Sequence, residues 1–168
     1  MKVPDVIGPD LKVLFVGINP GLYSAKIGHH FGRPGNRFWP ALHLGGFTPR
    51  LFSPYEDQEL LKLGLGISNF VERESARADQ LTVEEIKAGF EDLKLKIERY
   101  KPKVVAFLGI GSYRIATGDP KARLGLQGDI IGMSRIWVLP NPSGLNAHFQ
   151  IKDWERLFKE LKQFSDNL

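Results

Sequence analysis

An apolar run that breaks abruptly into glycine and proline constrains this chain most. Leu11-Lys12-Val13-Leu14-Phe15-Val16 has five apolar residues in six and reads as a buried strand. It runs straight into Gly17-Ile18-Asn19-Pro20-Gly21. Two glycines and a proline within five residues force the backbone to turn sharply. Such a loop sits at the carboxyl end of a strand, where open α/β sheets bind their ligands. Asn19, held before a proline, offers two donors and an acceptor and carries no charge. Alone, the loop reads equally well as a turn with a polar residue in it.

A second stretch answers the first. Ile136-Trp137-Val138-Leu139 is another short apolar strand, and Pro140-Asn141-Pro142-Ser143-Gly144-Leu145-Asn146 breaks it in the same manner. Two such loops, one near each end of the chain, can flank a single cleft. Between them the chain alternates strands and helices. Leu65-Gly66-Ile67-Ser68-Asn69-Phe70 reads as a strand, and Val104-Val105-Ala106-Phe107-Leu108 as a central parallel one. Helices are expected over Asn36 to Leu44, from Ser53-Pro54 to Leu63-Gly64, after Thr82, through Ile115, and over 151–164. Thr82-Val83-Glu84-Glu85 is a capping box. Val83, Ile86, Phe90, Leu93, Ile97 and Tyr100 follow it as one apolar stripe, and Ile151, Trp154, Leu157, Phe158, Leu161 and Phe164 form another.

Residues 1–10 read as a polar lead, 22–36 as a long loop, 72–81 as charged and irregular, and 118–134 as a variable segment. Long loops in compact domains are usually functional. The sum is an α/β, three-layer sandwich: a mainly parallel sheet of about four strands flanked by helices. With 168 residues it is expected to be one domain.

Composition narrows the chemistry. The chain has no cysteine, which excludes disulfides, thiolate nucleophiles and iron–sulfur clusters. His29, His30, His43 and His148 show no ligand spacing, so no metal site is expected. Gly109-Ile110-Gly111 is followed by Arg114 where a third glycine would stand, and no Lys-Ser/Thr pair follows. No nucleotide cofactor is expected. Lys and Arg outnumber Asp and Glu by 23 to 19, a mild bias toward an anionic partner. No apolar run approaches a membrane span and no signal peptide opens the chain, so an intracellular protein of the cytoplasm or nucleoid is expected.

The two loops, with Gly35-Asn36-Arg37-Phe38-Trp39 and Asn69-Phe70-Val71-Glu72-Arg73, resemble the mismatch-specific uracil-DNA glycosylases of bacteria and the thymine-DNA glycosylases of eukaryotes. These form one family within the uracil-DNA glycosylase superfamily. The resemblance runs from Leu11 to Phe149, in order and spacing. It implies a monofunctional DNA glycosylase that flips uracil, and thymine or related damaged pyrimidines, out of G·U and G·T mismatches and leaves an abasic site. Its partner would be mismatched double-stranded DNA, with the protein acting as a monomer and without a cofactor.

The resemblance also implies roles. Asn19 would position the attacking water, and Ser75 matches a hydroxyl that helps to hold it. Phe31 matches the aromatic on which the flipped base stacks; the alternative is that it is core. Asn69 matches an asparagine that contacts the pyrimidine edge in the eukaryotic branch, where many bacterial members have lysine. The backbone of Ile18 would contact the base as well. Gly144, Leu145 and Asn146 match the wedge that enters the duplex, and Ser24 and Ser143 are candidate phosphate contacts. Bacterial relatives usually carry arginine where this chain has Ala147, and the eukaryotic branch carries one at the Leu145 position. This chain lacks both. Two other readings stay open: a broader uracil and ethenocytosine glycosylase, or a non-catalytic binder of damaged DNA.

Overall fold

Val13–Gly17 (β1), Leu65–Asn69 (β2), Val104–Leu108 (β3), Gly125–Ile131 (β4) and Ser134–Leu139 (β5) form one sheet in the order β2-β1-β3-β5-β4. The computed structural model describes residues 3–168; Met1 and Lys2, the start of the expected polar lead, lie outside the described residues. β1 pairs in parallel with β2 and with β3, β3 pairs in parallel with β5, and β4 is antiparallel to β5.

Helices cover both faces. Alternate side chains of each central strand point to opposite sides. Val13, Phe15, Val104, Ala106 and Leu139 face Phe38–Leu44 (α2) and Ile151–Asp166 (α5) through Phe38, Leu42, Trp154, Phe158 and Leu161. Leu14, Val16, Val105, Phe107 and Val138 face Val83–Tyr100 (α3) and Ile110–Thr117 (α4) through Ile86, Phe90, Leu93, Ile97 and Tyr113. Full burial on both faces explains why β1 and β3 read as unbroken apolar runs. Each buried Leu, Ile or Phe contributes about 1.5–3 kcal/mol. Thr82 and Glu85 close the expected capping box of α3.

The three-layer α/β expectation holds, with five corrections. The sheet has a fifth strand, β4, inside the segment expected to be variable. Gly125 and Gly128 dilute its pattern, its pairing shifts between Leu126 and Ile130, and as an edge strand it is largely exposed. Residues 22–36 are not all loop: Leu22–Ile27 is a helix (α1), closed by Gly28 in the left-handed conformation. The lead is not merely polar, since Val6 is fully buried and exchanges backbone hydrogen bonds with Ile67 at 2.9 and 2.8 Å. Val83 and Ile151 are exposed, because the first residue of each helix lies clear of the core. The expected helix at 54–63 is a kinked 3-10 helix with its own capping box, Ser53 to Glu56.

The strand order places the site. The chain leaves β1 toward β2 on one side and leaves β3 toward β4 and β5 on the other. Adjacent strands whose connections diverge leave a crevice at their carboxyl ends. There a side chain on Gly109 would touch Ile18 and Asn141, so the loops after β1, β3 and β5 converge.

Candidate active site

A cleft of about 530 Å³ opens at that crevice, lined by Gly17 to Gly21, Phe31, Asn36, Asn69, Ser75, Leu108 and Asn141 to Ser143, with Leu145, Asn146 and His148. Its volume falls within the range typical of small-molecule sites, about 300–1,000 Å³.

Asn19 is fixed by two hydrogen bonds from one nitrogen. Its Nδ2 donates to the Arg73 carbonyl and to Ser75 Oγ, each at 2.8 Å. A carbonyl only accepts, so the group facing Arg73 must be the NH2. With both amide hydrogens engaged, the acceptor Oδ1 is the atom left to serve the cleft. Ser75 is 7% exposed. Its Oγ donates to the Arg77 carbonyl at 2.8 Å while accepting from Asn19, so its proton is spent within the protein.

The partners of Asn19 are held by an extension of the sheet. Beyond β1 and β2, Phe70 N and Val71 N donate to Gly17 O and Ile18 O at 3.0 Å, and Ser75 N donates to Pro20 O at 3.2 Å. The charged segment after β2 is therefore ordered against the Asn19 loop over its first half. The Ile18 carbonyl is consumed here, which leaves its N–H as the backbone group a ligand can use.

Phe31 and Asn69 meet at Gly17. A Cβ built on Gly17 would lie 2.6 Å from Asn69 Oδ1 and 3.2 Å from the tip of the Phe31 ring. Real side chains do not approach so closely, so only glycine lets this aromatic ring and this amide share the cleft floor. Phe31 packs on Phe38 with ring centroids 4.3 Å apart, anchoring one side of the ring to the core. Its backbone has φ 51°, in the left-handed region, at a cost of about 1–3 kcal/mol.

Four contacts brace the residues just before Phe31. Asp57, 2% exposed, accepts the His30 backbone N–H at 3.1 Å and lies 3.0 Å from His29 Nδ1. Trp39 Nε1 donates to the His30 carbonyl at 3.2 Å. The buried His30 ring donates through Nε2 to Pro4 O at 2.8 Å, and burial lowers its pKa against the smaller raising effects of that bond and of Asp57.

The second loop is braced from below. Arg37 N donates to Pro142 O at 2.8 Å, and the Arg37 guanidinium donates to the carbonyls of Ser143 and Asn146. Asn141 Oδ1 takes the Ser143 N–H and Ser143 Oγ takes the Leu145 N–H, two tight local turns. Gly144 is tightly placed: a Cβ would meet Gly35 O at 3.0 Å, so the backbone of Gly35 would have to give by a few tenths of an ångström. Leu145 stands out at 65% exposed. Asn146 is turned back, its amide spanning the loop to Asn141 O and His148 N.

Asn19, Ser75, Ile18, Phe31, Asn69, Leu145, Asn146, Ser143 and Ser24 thus line one cleft, and Gly144 lies in its second loop. Ser24 is 5% exposed and its Oγ accepts the Gly32 N–H at 2.9 Å, so its first task is to close the loop that carries Phe31. Sequence reasoning missed Asp57 and the arginine braces, and read Gly17 only as part of a turn. Arg37 and Arg73 stood inside noted motifs, but nothing in their spacing showed which carbonyls they would reach.

A sequence profile described as the uracil DNA glycosylase superfamily matches residues 4–162. Among solved structures, the solution NMR structure of a candidate uracil DNA glycosylase from Methanosarcina acetivorans is similar, with a TM-score of 0.61 and 22% identity over 96% of this chain and 97% of that one. At that identity the likeness concerns the fold.

Proposed function

The chain belongs to the uracil DNA glycosylase superfamily and is a DNA N-glycosylase; on that premise we propose that it removes uracil, and more slowly thymine, mispaired with guanine. The fixed amide of Asn19 carries this reading. Its Oδ1 accepts a hydrogen bond from a water and aims the water's oxygen at C1′ of a flipped nucleotide. The bond from C1′ to the base nitrogen breaks, its electron pair leaves with the base, and the water oxygen bonds to C1′. The water's proton is released to solvent or to the departing base.

The supporting groups have matching tasks. The flipped base stacks on Phe31, an interaction worth about 1–3 kcal/mol. Asn69 can pair with a pyrimidine edge as donor and acceptor at once. The Ile18 N–H lies where charge develops on the base, and a preorganised donor there lowers the barrier. Leu145 fills the vacated stack, a recurrent use of apolar side chains in bent or opened duplexes. Flipping costs about a few kcal/mol, least at a mismatch, and this favours mispaired substrates.

One assay tests the proposal: abasic-site formation on G·U, A·U, G·T and single-stranded uracil. Release fastest from G·U and detectable from G·T is expected. Tight binding without release from any duplex would point to a damage binder, and faster loss of ethenocytosine than of uracil would point to the broader specificity.

A further inference from the structure

We propose that Arg73 is a positioning residue for Asn19: clamped by Glu85, it fixes the carbonyl that decides which atom of the Asn19 amide faces the cleft. This rests on the glycosylase reading above. The backbone from Phe70 to Ser75 is tied to the Asn19 loop at Phe70, Val71 and Ser75. Residues 72–74 join those ties, and Arg73 sits at the centre of the segment. Its carbonyl receives an Asn19 hydrogen at 2.8 Å.

The two acceptors of Asn19 are not equivalent. A serine hydroxyl can donate or accept, so Ser75 can meet a turned amide by giving up its bond to Arg77 O. A carbonyl only accepts, so the Arg73 oxygen cannot pair with Oδ1 under any rearrangement. If it moves away, the amide can rotate by half a turn and present N–H groups to the cleft, which cannot hold a water by its hydrogen.

The Arg73 side chain holds that carbonyl in place. Its Nε and one terminal nitrogen reach the two oxygens of Glu85 at 2.8 and 2.9 Å, and the same terminal nitrogen donates to Gln80 O at 3.2 Å. Glu85 is itself seated at the start of α3, where its Oε1 takes the Thr82 N–H at 3.0 Å and its own N–H donates to Thr82 Oγ1. α3 is anchored in the core by Ile86, Phe90, Leu93 and Ile97. This segment is therefore referenced to the rigid body of the protein. The paired side chains are 49% and 30% exposed, and ion pairs this open add little to stability. Breaking the pair should register in the chemical step and scarcely in the melting temperature.

The test compares unaltered protein, Arg73→Ala, Arg73→Lys and Glu85→Gln in single-turnover uracil release from a G·U duplex. Affinity for a duplex bearing a non-cleavable 2′-fluoro deoxyuridine, and the melting temperature, are measured alongside. Glu85→Gln retains an oxygen for Thr82 and guards against a folding failure of the alanine variant. Small displacements of reacting groups can cost about 100-fold. Release slowed about 10- to 100-fold in Arg73→Ala and Glu85→Gln, partly restored in Arg73→Lys, with affinity and melting unchanged, is expected. Release undiminished in both variants, or lost only in step with affinity and melting, would overturn this role alone. No release by the unaltered protein would instead sink the glycosylase reading, and this role with it.

Discussion

Asn19 and Ser75, fifty-six positions apart, are joined by a 2.8 Å hydrogen bond in which the amide donates and the hydroxyl accepts. The serine spends its proton on Arg77 O, so it steadies the asparagine and has no hydrogen left to give a water. The only chemistry left to Asn19 is that of a neutral acceptor. A general base typically contributes about 100- to 10,000-fold, and an amide supplies none of it at neutral pH. The enzyme should be slow and should depend on the base it expels.

Asn19→Ala is expected to reduce single-turnover release by about 100-fold or more, while affinity for a mismatched duplex stays within a few-fold. Affinity is expected from phosphate contacts, stacking on Phe31 and insertion of Leu145, none of which requires this amide. Release within twofold of the unaltered protein would count against Asn19 as the water-positioning group.

Gly17→Ala tests the shared floor of the cleft. The new Cβ would sit 2.6 Å from Asn69 Oδ1, so Asn69 or Phe31 must move. Release should fall about tenfold or more, since misplacement by an ångström can cost about 100-fold. Folding should survive, because both displaced groups are side chains at the end of a strand. A variant with unchanged release would show that neither residue reads the base from its observed position.

Leu145→Ala should weaken release from a G·U duplex more than release from single-stranded uracil. Leu145 is 65% exposed on a loop braced from beneath, which suits a side chain that enters another molecule. A wedge helps only where a stack must be held open. Equal losses on the two substrates would argue that Leu145 merely packs.

The expectations from sequence succeeded where one physical signal dominated. Buried central strands are continuous apolar runs, and β1 and β3 could hardly be anything else. Glycine and proline loops marked the ends of β1 and β5, so Asn19 and Ser143 were legible as candidates. β4 was not, because an edge strand with glycines need not be apolar. The supports were hidden for a different reason. Asp57 holds the loop of Phe31 through backbone and ring nitrogens, and Arg37 holds the loop after β5 through carbonyls. Contacts to the main chain leave no complementary residue type in the sequence to betray them.

Stability should carry a histidine signature. His30 is buried with its pKa lowered, so it is neutral in the folded state and takes up a proton on unfolding over a window below its ordinary value of 6.5. Where the unfolded state binds more protons, stability rises with pH. Folding is therefore destabilised as pH falls from 6.5 toward the lowered folded value. His30→Gln can keep the donor to Pro4 O and cannot titrate. Its melting temperature should drop less between pH 7.5 and pH 5 than that of the unaltered protein. An identical drop would mean that His30 does not contribute to the pH dependence.

The leaving group gives the sharpest test of the chemistry. Asn19 is neutral, so the attacking water gains little nucleophilicity and the glycosidic bond must break early. A sugar cation then stands beside a departing base anion. The Ile18 N–H and Asn69 can stabilise that anion by preorganised dipoles, yet they cannot replace the acidity of the base itself. Rates should rise from thymine to uracil to 5-fluorouracil, the order of increasing acidity. The methyl group of thymine adds bulk beside the cleft floor, so uracil against its 5-fluoro analogue is the cleaner pair. Single-turnover release opposite guanine, at one pH and one salt concentration, is the measurement. Salt must be fixed because each neutralised phosphate adds a slope of about −0.9 in log affinity against log salt. If 5-fluorouracil left no faster than uracil, with flipping shown not to limit, bond breaking would not lead. Water attack would then need a stronger base than an amide, and a carboxylate near the cleft, with Asp79 on its lining, would become the group to mutate next.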